Sequence, residues 1–192
     1  MIPEFVNFLN IAGKVLEKED LFLRNAISAN PAVYPPNNPL NHCGLLRFNN
    51  ERYYQFAIAR GLFGAYPFVV EVERGKDRFD LTLAMPRNGT PLFAALEMKR
   101  WMSVGGEGKE LKGILGDLSK LDKKAKGKAS HGLMIIFSAN ETTAQIKDSK
   151  NWLENEIRKA LFPVVSTAPY LFPTYNNQGT PVYFWIAGYE VF

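Results

Sequence analysis

Three charged side chains sit where a buried strand calls for apolar ones. Asp80 lies in "DRFDLTLAM", and Glu97 and Lys99 lie in "PLFAALEMKRW". Both segments read as β-strands, and the "PRNGT" between them holds Asn-Gly, a strong tight-turn signal. Residues two apart on a strand point to the same face. Glu97 and Lys99 therefore share a face with Phe93, Ala95 and Trp101, and Asp80 shares one with Arg78 and Thr82. Pairing across the turn puts Asp80 beside Glu97. Two carboxylates held close repel each other, and each is costly to bury unless a cation compensates. A divalent metal is the natural compensation, and oxygen-only ligands favour Mg²⁺ or Mn²⁺ over zinc. A bound metal lowers the pKa of its water and polarises a phosphoryl oxygen. Lys99, next to it, orients the water or stabilises charge developing on a phosphate. The chemistry expected is metal-assisted hydrolysis of a phosphodiester.

Several elements must position these groups. Phe5, Phe8, Leu9, Ala12, Val15 and Leu16 recur at helical spacing and predict an amphipathic helix over residues 4–27. "NPAVYPPNNPLNHC" is a Pro- and Asn-rich loop, the joint between an N-terminal helical arm and the main body. "NERYYQFAIARGLFG" predicts a second helix, capped by Asn49 or Asn50 and ending near Gly61 or Gly64. "YPFVVEVER" is the first strand, and the two strands around the Asn-Gly turn follow it. In "ELKGILGDLSKLDKKAK", Leu111, Ile114, Leu115, Leu118 and Leu121 mark one helix face. "HGLMIIFSA" is a nearly continuous apolar run, suited to a strand buried on both faces. "TTAQIKDSKNWLENEIRKALF" is a further helix, and "TPVYFWIAGYEVF" a last strand. This order predicts an α/β sandwich with a mixed central sheet flanked by helices.

With these elements in place, the pattern resembles the PD-(D/E)XK nuclease superfamily. Asp80 and Glu97-Met98-Lys99 fall on adjacent strands, with a helix before them and a helix and a strand after. The resemblance covers roughly residues 50–160, and its motif is three residues long. Phe79 precedes Asp80 where the superfamily often has proline, a minor departure. The resemblance implies a restriction-endonuclease-like fold and Mg²⁺- or Mn²⁺-dependent cleavage of DNA, of restriction or repair type. It implies metal ligation by Asp80 and Glu97, with the carbonyl of Met98 as a further donor, and catalysis assisted by Lys99. The superfamily often adds an acidic residue or Gln from the helix before the first strand. Glu51 and Gln55 are the candidates here, one turn apart, and Gln55 is preferred because it lies deeper in the helix.

Blander assignments compete. Asp80 could cap a strand end or pair with Arg78, and Glu97 with Lys99 could be an exposed edge pair. "FAALEM" is too apolar for an open edge, which disfavours that assignment. Glu71 and Glu73 share a face of the first strand and are expected to be solvated. The run "KLDKKAKGK" suits either a solvated helix C-terminus or contact with phosphates. Arg100, Lys109, Lys112, Lys120, Lys123, Lys124, Lys126 and Lys128 form the expected nucleic-acid surface. Trp101 could add a sugar or base contact, although a tryptophan there more often belongs to the core. His42 and His131 are expected to be structural or on the surface. Gly105 and Gly106 lack the P-loop pattern and read as a flexible loop at the substrate side.

Composition sets outer bounds. The chain has 192 residues, 46% hydrophobic and 22% charged, which is one globular domain rather than a disordered chain. It divides into the N-terminal arm and Pro-rich loop (1–40), a catalytic core (50–160) and a C-terminal strand region (161–192). The net charge of +4 allows a polyanionic partner without requiring one. One cysteine, Cys43, excludes a disulfide framework and a cysteine-based zinc site and suits a reducing cytoplasm. No signal peptide or membrane span is expected. A homodimer is expected, because one site cuts one strand of a duplex, with the Phe-rich first helix and the last strand as its apolar surface. The alternatives are a catalytically inactive nucleic-acid-binding protein of the same fold and a non-nucleic-acid interaction protein with structurally paired charges.

Overall fold

The computed structural model describes residues 1–30, 32, 43–48, 50–63, 79–85, 89, 92–101, 109–125, 131–176 and 178–191, apart from the side chains of Phe48, Lys124 and Ala125. In chain order the elements are helices α1 (Pro3–Ser28), α2 (Leu45–Phe48) and α3 (Glu51–Leu62), then strands β1 (Leu81–Met85) and β2 (Leu92–Arg100). Helix α4 (Lys109–Ala125), strand β3 (His131–Asn140) and helix α5 (Thr143–Lys159) follow, and β4 (Val164–Ser166), β5 (Tyr170–Tyr175) and β6 (Pro181–Val191) end the chain. The expected strand over 66–74 lies outside the described residues, as do Arg78, Glu71, Glu73, His42, Asn88, Gly105, Gly106, Lys126 and Lys128.

Local chemistry explains the element ends. Asn50 caps α3 by accepting a hydrogen bond from the Arg52 amide at 3.0 Å. Thr142 and Gln145 form a reciprocal capping box at the start of α5. Gly89, between β1 and β2, has φ +82°, a left-handed conformation that favours glycine.

The strands form one mixed sheet in the order β1-β2-β3-β6-β4, with β5 also paired to β6. β1 and β2 are antiparallel, in the register Leu81↔Leu96 to Met85↔Leu92. β2 and β3 are parallel, so the chain must cross over between them, and α4 is that crossover. β6 runs antiparallel to β3 along one side. Its other side pairs with β4 and β5. β3, between two neighbours, is buried at every position from Gly132 to Ser138, in line with its continuous apolar run.

Each face of the sheet carries its own core. Leu83, Leu96, Met98, Ile135, Phe137 and Phe184 pack on one face against α1 and α3. Ala95, Trp101, Met134, Ile136 and Trp185 pack on the other against Ile114, Leu118 and Leu121 of α4 and Ile146, Leu153 and Ile157 of α5. The architecture is α/β, a mixed sheet between helices.

Helix α1, expected as an arm, is part of the body. Phe5, Phe8, Leu9, Ala12 and Leu16 are buried in the first core, each large one contributing about 1.5–3 kcal/mol. The fully buried Asp20 fastens the helix: Oδ1 accepts from the Leu45 amide at 2.8 Å and the Thr174 hydroxyl at 2.7 Å, and Oδ2 pairs with Arg24 at 2.9 Å. Much of the apolar surface expected to serve a dimer is thus spent internally, while Val6, Leu21 and Phe22 of α1 stay exposed. Phe5 and Phe8 face the core, and β6 runs through the sheet with Phe184 and Trp185 buried. Among the described residues no helix is long and apolar enough to cross a membrane.

Candidate functional site

The charged cluster grows out of the β1–β2 register. Leu81 pairs with Leu96, so Asp80, one residue before β1, comes level with Glu97. The Asp80 amide donates to the Leu96 carbonyl at 3.0 Å, and its Oδ2 accepts from the Met98 amide at 2.7 Å. These two bonds clamp the aspartate to the strand that carries Glu97 and Lys99. Glu97 and Lys99 lie on the face covered by α4, with Ala95 before them and Trp101 after.

α4 supplies the counter-charges. Gly113, Asp117 and Lys120 recur at i, i+4 and i+7, beside the apolar stripe that seats the helix. Lys120 Nζ pairs with Glu97 Oε1 and lies 4.9 Å from the centroid of the Phe79 ring. Lys99 Nζ lies 3.2 Å from Asp117 Oδ2. A Cβ on Gly113 would come within 3.1 Å of Lys99 Cε, so the bare helix backbone passes directly over the lysine stem.

α3 closes the cluster from the far side. Glu51 stands in its first turn, and its Oε2 accepts from the Arg100 amide at 3.0 Å. Glu51, rather than the preferred Gln55, is the α3 residue tied to the charged strand. Gln55 is partly buried one turn on, and no hydrogen bond joins it to the cluster among the described residues.

Burial and mutual proximity perturb the titration of these groups. Glu97 is 4% exposed. Burial pushes its carboxyl up to about 8, and the charges of Asp80 and Asp117 push the same way, against the pull of Lys120. Burial also raises the Glu51 carboxyl, against the Arg100 amide bond and the Lys99 charge. Burial alone would lower Lys99, but Glu51, Asp117 and Asp80 outweigh it and hold the ammonium above the ordinary lysine range. Four carboxylates and two ammonium groups therefore act on one another across α3, β1, β2 and α4.

No family model, curated protein or solved structure matches this chain.

Whether the cluster suits a divalent cation is a question of donor chemistry. Its anionic donors are all oxygens, which fits Mg²⁺ or Mn²⁺. Glu97 is a buried carboxyl crowded by two other carboxylates, and a nearby cation would relieve that. Among the described residues, however, no three or more Asp, Glu, His or Cys side chains stand ready as a metal-binding group. Lys120 already holds one Glu97 oxygen. The chemistry of the donors fits the ion, and the present partners of Glu97 and Asp117 are the two lysines.

The remaining expected residues divide. Lys109, Lys112 and Lys123 are exposed on α4. Lys120 is turned inward onto Glu97 instead of outward to solvent. Arg100 is partly buried with its amide on Glu51, and the side chain of Lys124 lies outside the described set. Trp101 is 1% exposed and stacks on Trp152 at 5.7 Å, so it is a core residue. His131 is structural: its Nδ1 lies 3.2 Å from the buried Glu190, which also accepts from the Ile2 amide. Asp117 escaped the sequence reading. Its signal was the Gly113, Asp117, Lys120 spacing beside the Leu/Ile stripe, which resembles any polar helix flank.

Proposed function

We infer that this chain is a divalent-metal-dependent deoxyribonuclease with a restriction-endonuclease-like fold of the PD-(D/E)XK kind. The observation that carries the inference is the side-by-side placement of Asp80 and Glu97 on paired strands, with Lys99 on the same face as Glu97. Asp80 and Glu97 would hold a Mg²⁺ or Mn²⁺ ion, with the Met98 carbonyl as a third oxygen. When bound, such an ion supplies an activated water and a polarised phosphoryl oxygen.

The other residues act on the substrate or on these ligands. The Met98 amide orients the Asp80 carboxylate. Lys99, kept protonated by its carboxylate neighbours, presents positive charge to a phosphate and stabilises the charge that develops there. Glu51, bonded to the Arg100 amide, borders the place where an attacking water would be held. Lys109, Lys112 and Lys123 give α4 a basic exposed side for the phosphate backbone. A single cysteine is compatible with a cytoplasmic location. Cutting both strands of a duplex would bring in a second copy, through a surface other than the buried faces of α1 and β6.

A second reading has its own observation. The Lys120–Glu97 and Lys99–Asp117 pairs give the central charges partners without any metal. On that reading the cluster ties α4 to the sheet, and the protein is an inactive binding member of the fold or an interaction module. One experiment separates the two. Purified protein is incubated with supercoiled and linear DNA in Mg²⁺, in Mn²⁺ and in EDTA. Nicking or cutting with either metal and none in EDTA supports the nuclease. Silence under all conditions supports the second reading, and cleavage that survives full chelation refutes the metal mechanism.

A further inference from the structure

We propose that α4 is the mould that aims Lys99, with Gly113 leaving room for its stem and Asp117 holding its ammonium, so that Asp117 is a positioning residue. The proposal rests on the nuclease reading and deepens it. Two independent contacts converge on one side chain. A Cβ at Gly113 would meet Lys99 Cε at 3.1 Å and Nζ at 3.8 Å. One turn further along α4, Asp117 Oδ2 lies 3.2 Å from the same Nζ.

Neither feature helps the fold much. A glycine inside a helix weakens it relative to alanine. The Lys99 and Asp117 side chains keep 30% and 25% of their surface exposed, and pairs this exposed contribute little to stability. A helix that accepts a weak residue to clear a lysine stem, and spends a carboxylate on its exposed tip, is arranged around where that tip points. The contrast with Gly116 is direct. It lies on the same helix, yet a Cβ there would meet nothing within 4 Å.

The glycine pair gives the test its internal control. Wild type, Gly113→Ala, Gly116→Ala, Asp117→Asn and Lys99→Ala are compared for cleavage with Mn²⁺, for Mn²⁺ affinity by calorimetry and for melting temperature. Gly116→Ala should melt about 2 °C higher, through helix propensity, and Gly113→Ala should gain less, because Lys99 must shift to admit the Cβ. Gly116→Ala should cut at the wild-type rate. Gly113→Ala should lose about 10-fold in kcat, because displacing a catalytic group by a fraction of an ångström costs rate rather than stability. Asp117→Asn should also lose about 10-fold in kcat, with KM, Mn²⁺ affinity and melting temperature close to wild type. Asp117→Glu, which keeps the carboxylate, should recover part of that loss.

If wild type cuts and Lys99→Ala does not, while Gly113→Ala and Asp117→Asn cut at the wild-type rate, the mould is refuted and the nuclease stands. If the Asp117→Asn rate loss follows a fall in melting temperature, Asp117 is structural and the proposal fails. If wild type neither binds Mn²⁺ nor cuts, the nuclease reading fails and the proposal falls with it.

Discussion

Glu97→Gln tests the electrostatics of the cluster without requiring activity. The side chain is 4% exposed, and its carboxyl is pushed from the ordinary 4.5 up to about 8, chiefly by burial. The sign follows from proton linkage. Between those two values the folded protein binds a proton at Glu97 that the unfolded chain has released. Stability therefore falls as pH rises through the window, and Glu97 contributes no slope below or above it. Each unit corresponds to about 1.4 kcal/mol, so the ionised carboxylate costs the fold about 5 kcal/mol by pH 8. The substituted glutamine keeps the shape and an acceptor for Lys120 but cannot ionise. The variant should match wild type near pH 4.5 and be about 3 kcal/mol more stable at pH 7. For a chain of this length that is a rise of about 10 °C in melting temperature. The assay is urea unfolding of both proteins in EDTA at half-unit steps from pH 4.5 to 8.5, read as the difference between the two curves, which cancels the titrating groups outside the cluster. Repeating it in Mg²⁺ should flatten the wild-type slope, because a cation at the carboxylates favours the ionised form, and should leave the variant unchanged. Parallel curves in EDTA would refute the crowded, buried carboxyl. A slope that Mg²⁺ does not touch would refute cation binding at Glu97.

Lys99→Ala should lower the cleavage rate by about 10²-fold (roughly 3 kcal/mol) with Mn²⁺ affinity retained, whereas Asp80→Asn should weaken Mn²⁺ binding as well. Cleavage by Lys99→Ala at the wild-type rate would show the motif to be misassigned. Glu51→Gln should slow cleavage by about 10-fold and Gln55→Ala should leave it unchanged, and the opposite ranking in a single-turnover assay would return the role to Gln55. Binding of duplex DNA in Ca²⁺ should weaken with salt at about 0.9 log units per phosphate contact. Replacing Lys109, Lys112 and Lys123 together should reduce that slope by roughly 2–3, and a flat salt dependence in wild type would favour the interaction-module reading.

What the sequence determines by itself is whatever depends on neighbours along the chain. The apolar spacing of α1, the Asn50 cap and the unbroken apolar run of β3 each specify an element locally, and each is present. The Asp80–Glu97 juxtaposition belongs with them, because β1 and β2 are consecutive antiparallel strands whose alternating burial pins the register. Tertiary structure decided the rest. β4 is three residues long and takes its place from β6, with all of β5 lying between them in the chain. Nothing in residues 1–28 says that α1 will be buried on the sheet, because its docking needs Leu45 and Thr174 around Asp20. Glu51 rather than Gln55 bonds to β2 because the direction in which α3 meets the end of that strand is set by packing, not by depth along the helix. Asp117 and Lys120 look like ordinary solvated helix residues in one dimension. They become partners of Lys99 and Glu97 only when the β2–α4–β3 crossover rolls α4 onto its Leu/Ile stripe and turns that flank toward the strand. The burial that drives Glu97 up to about 8 has the same origin, since a side chain's dielectric surroundings exist only after the helix is laid over it.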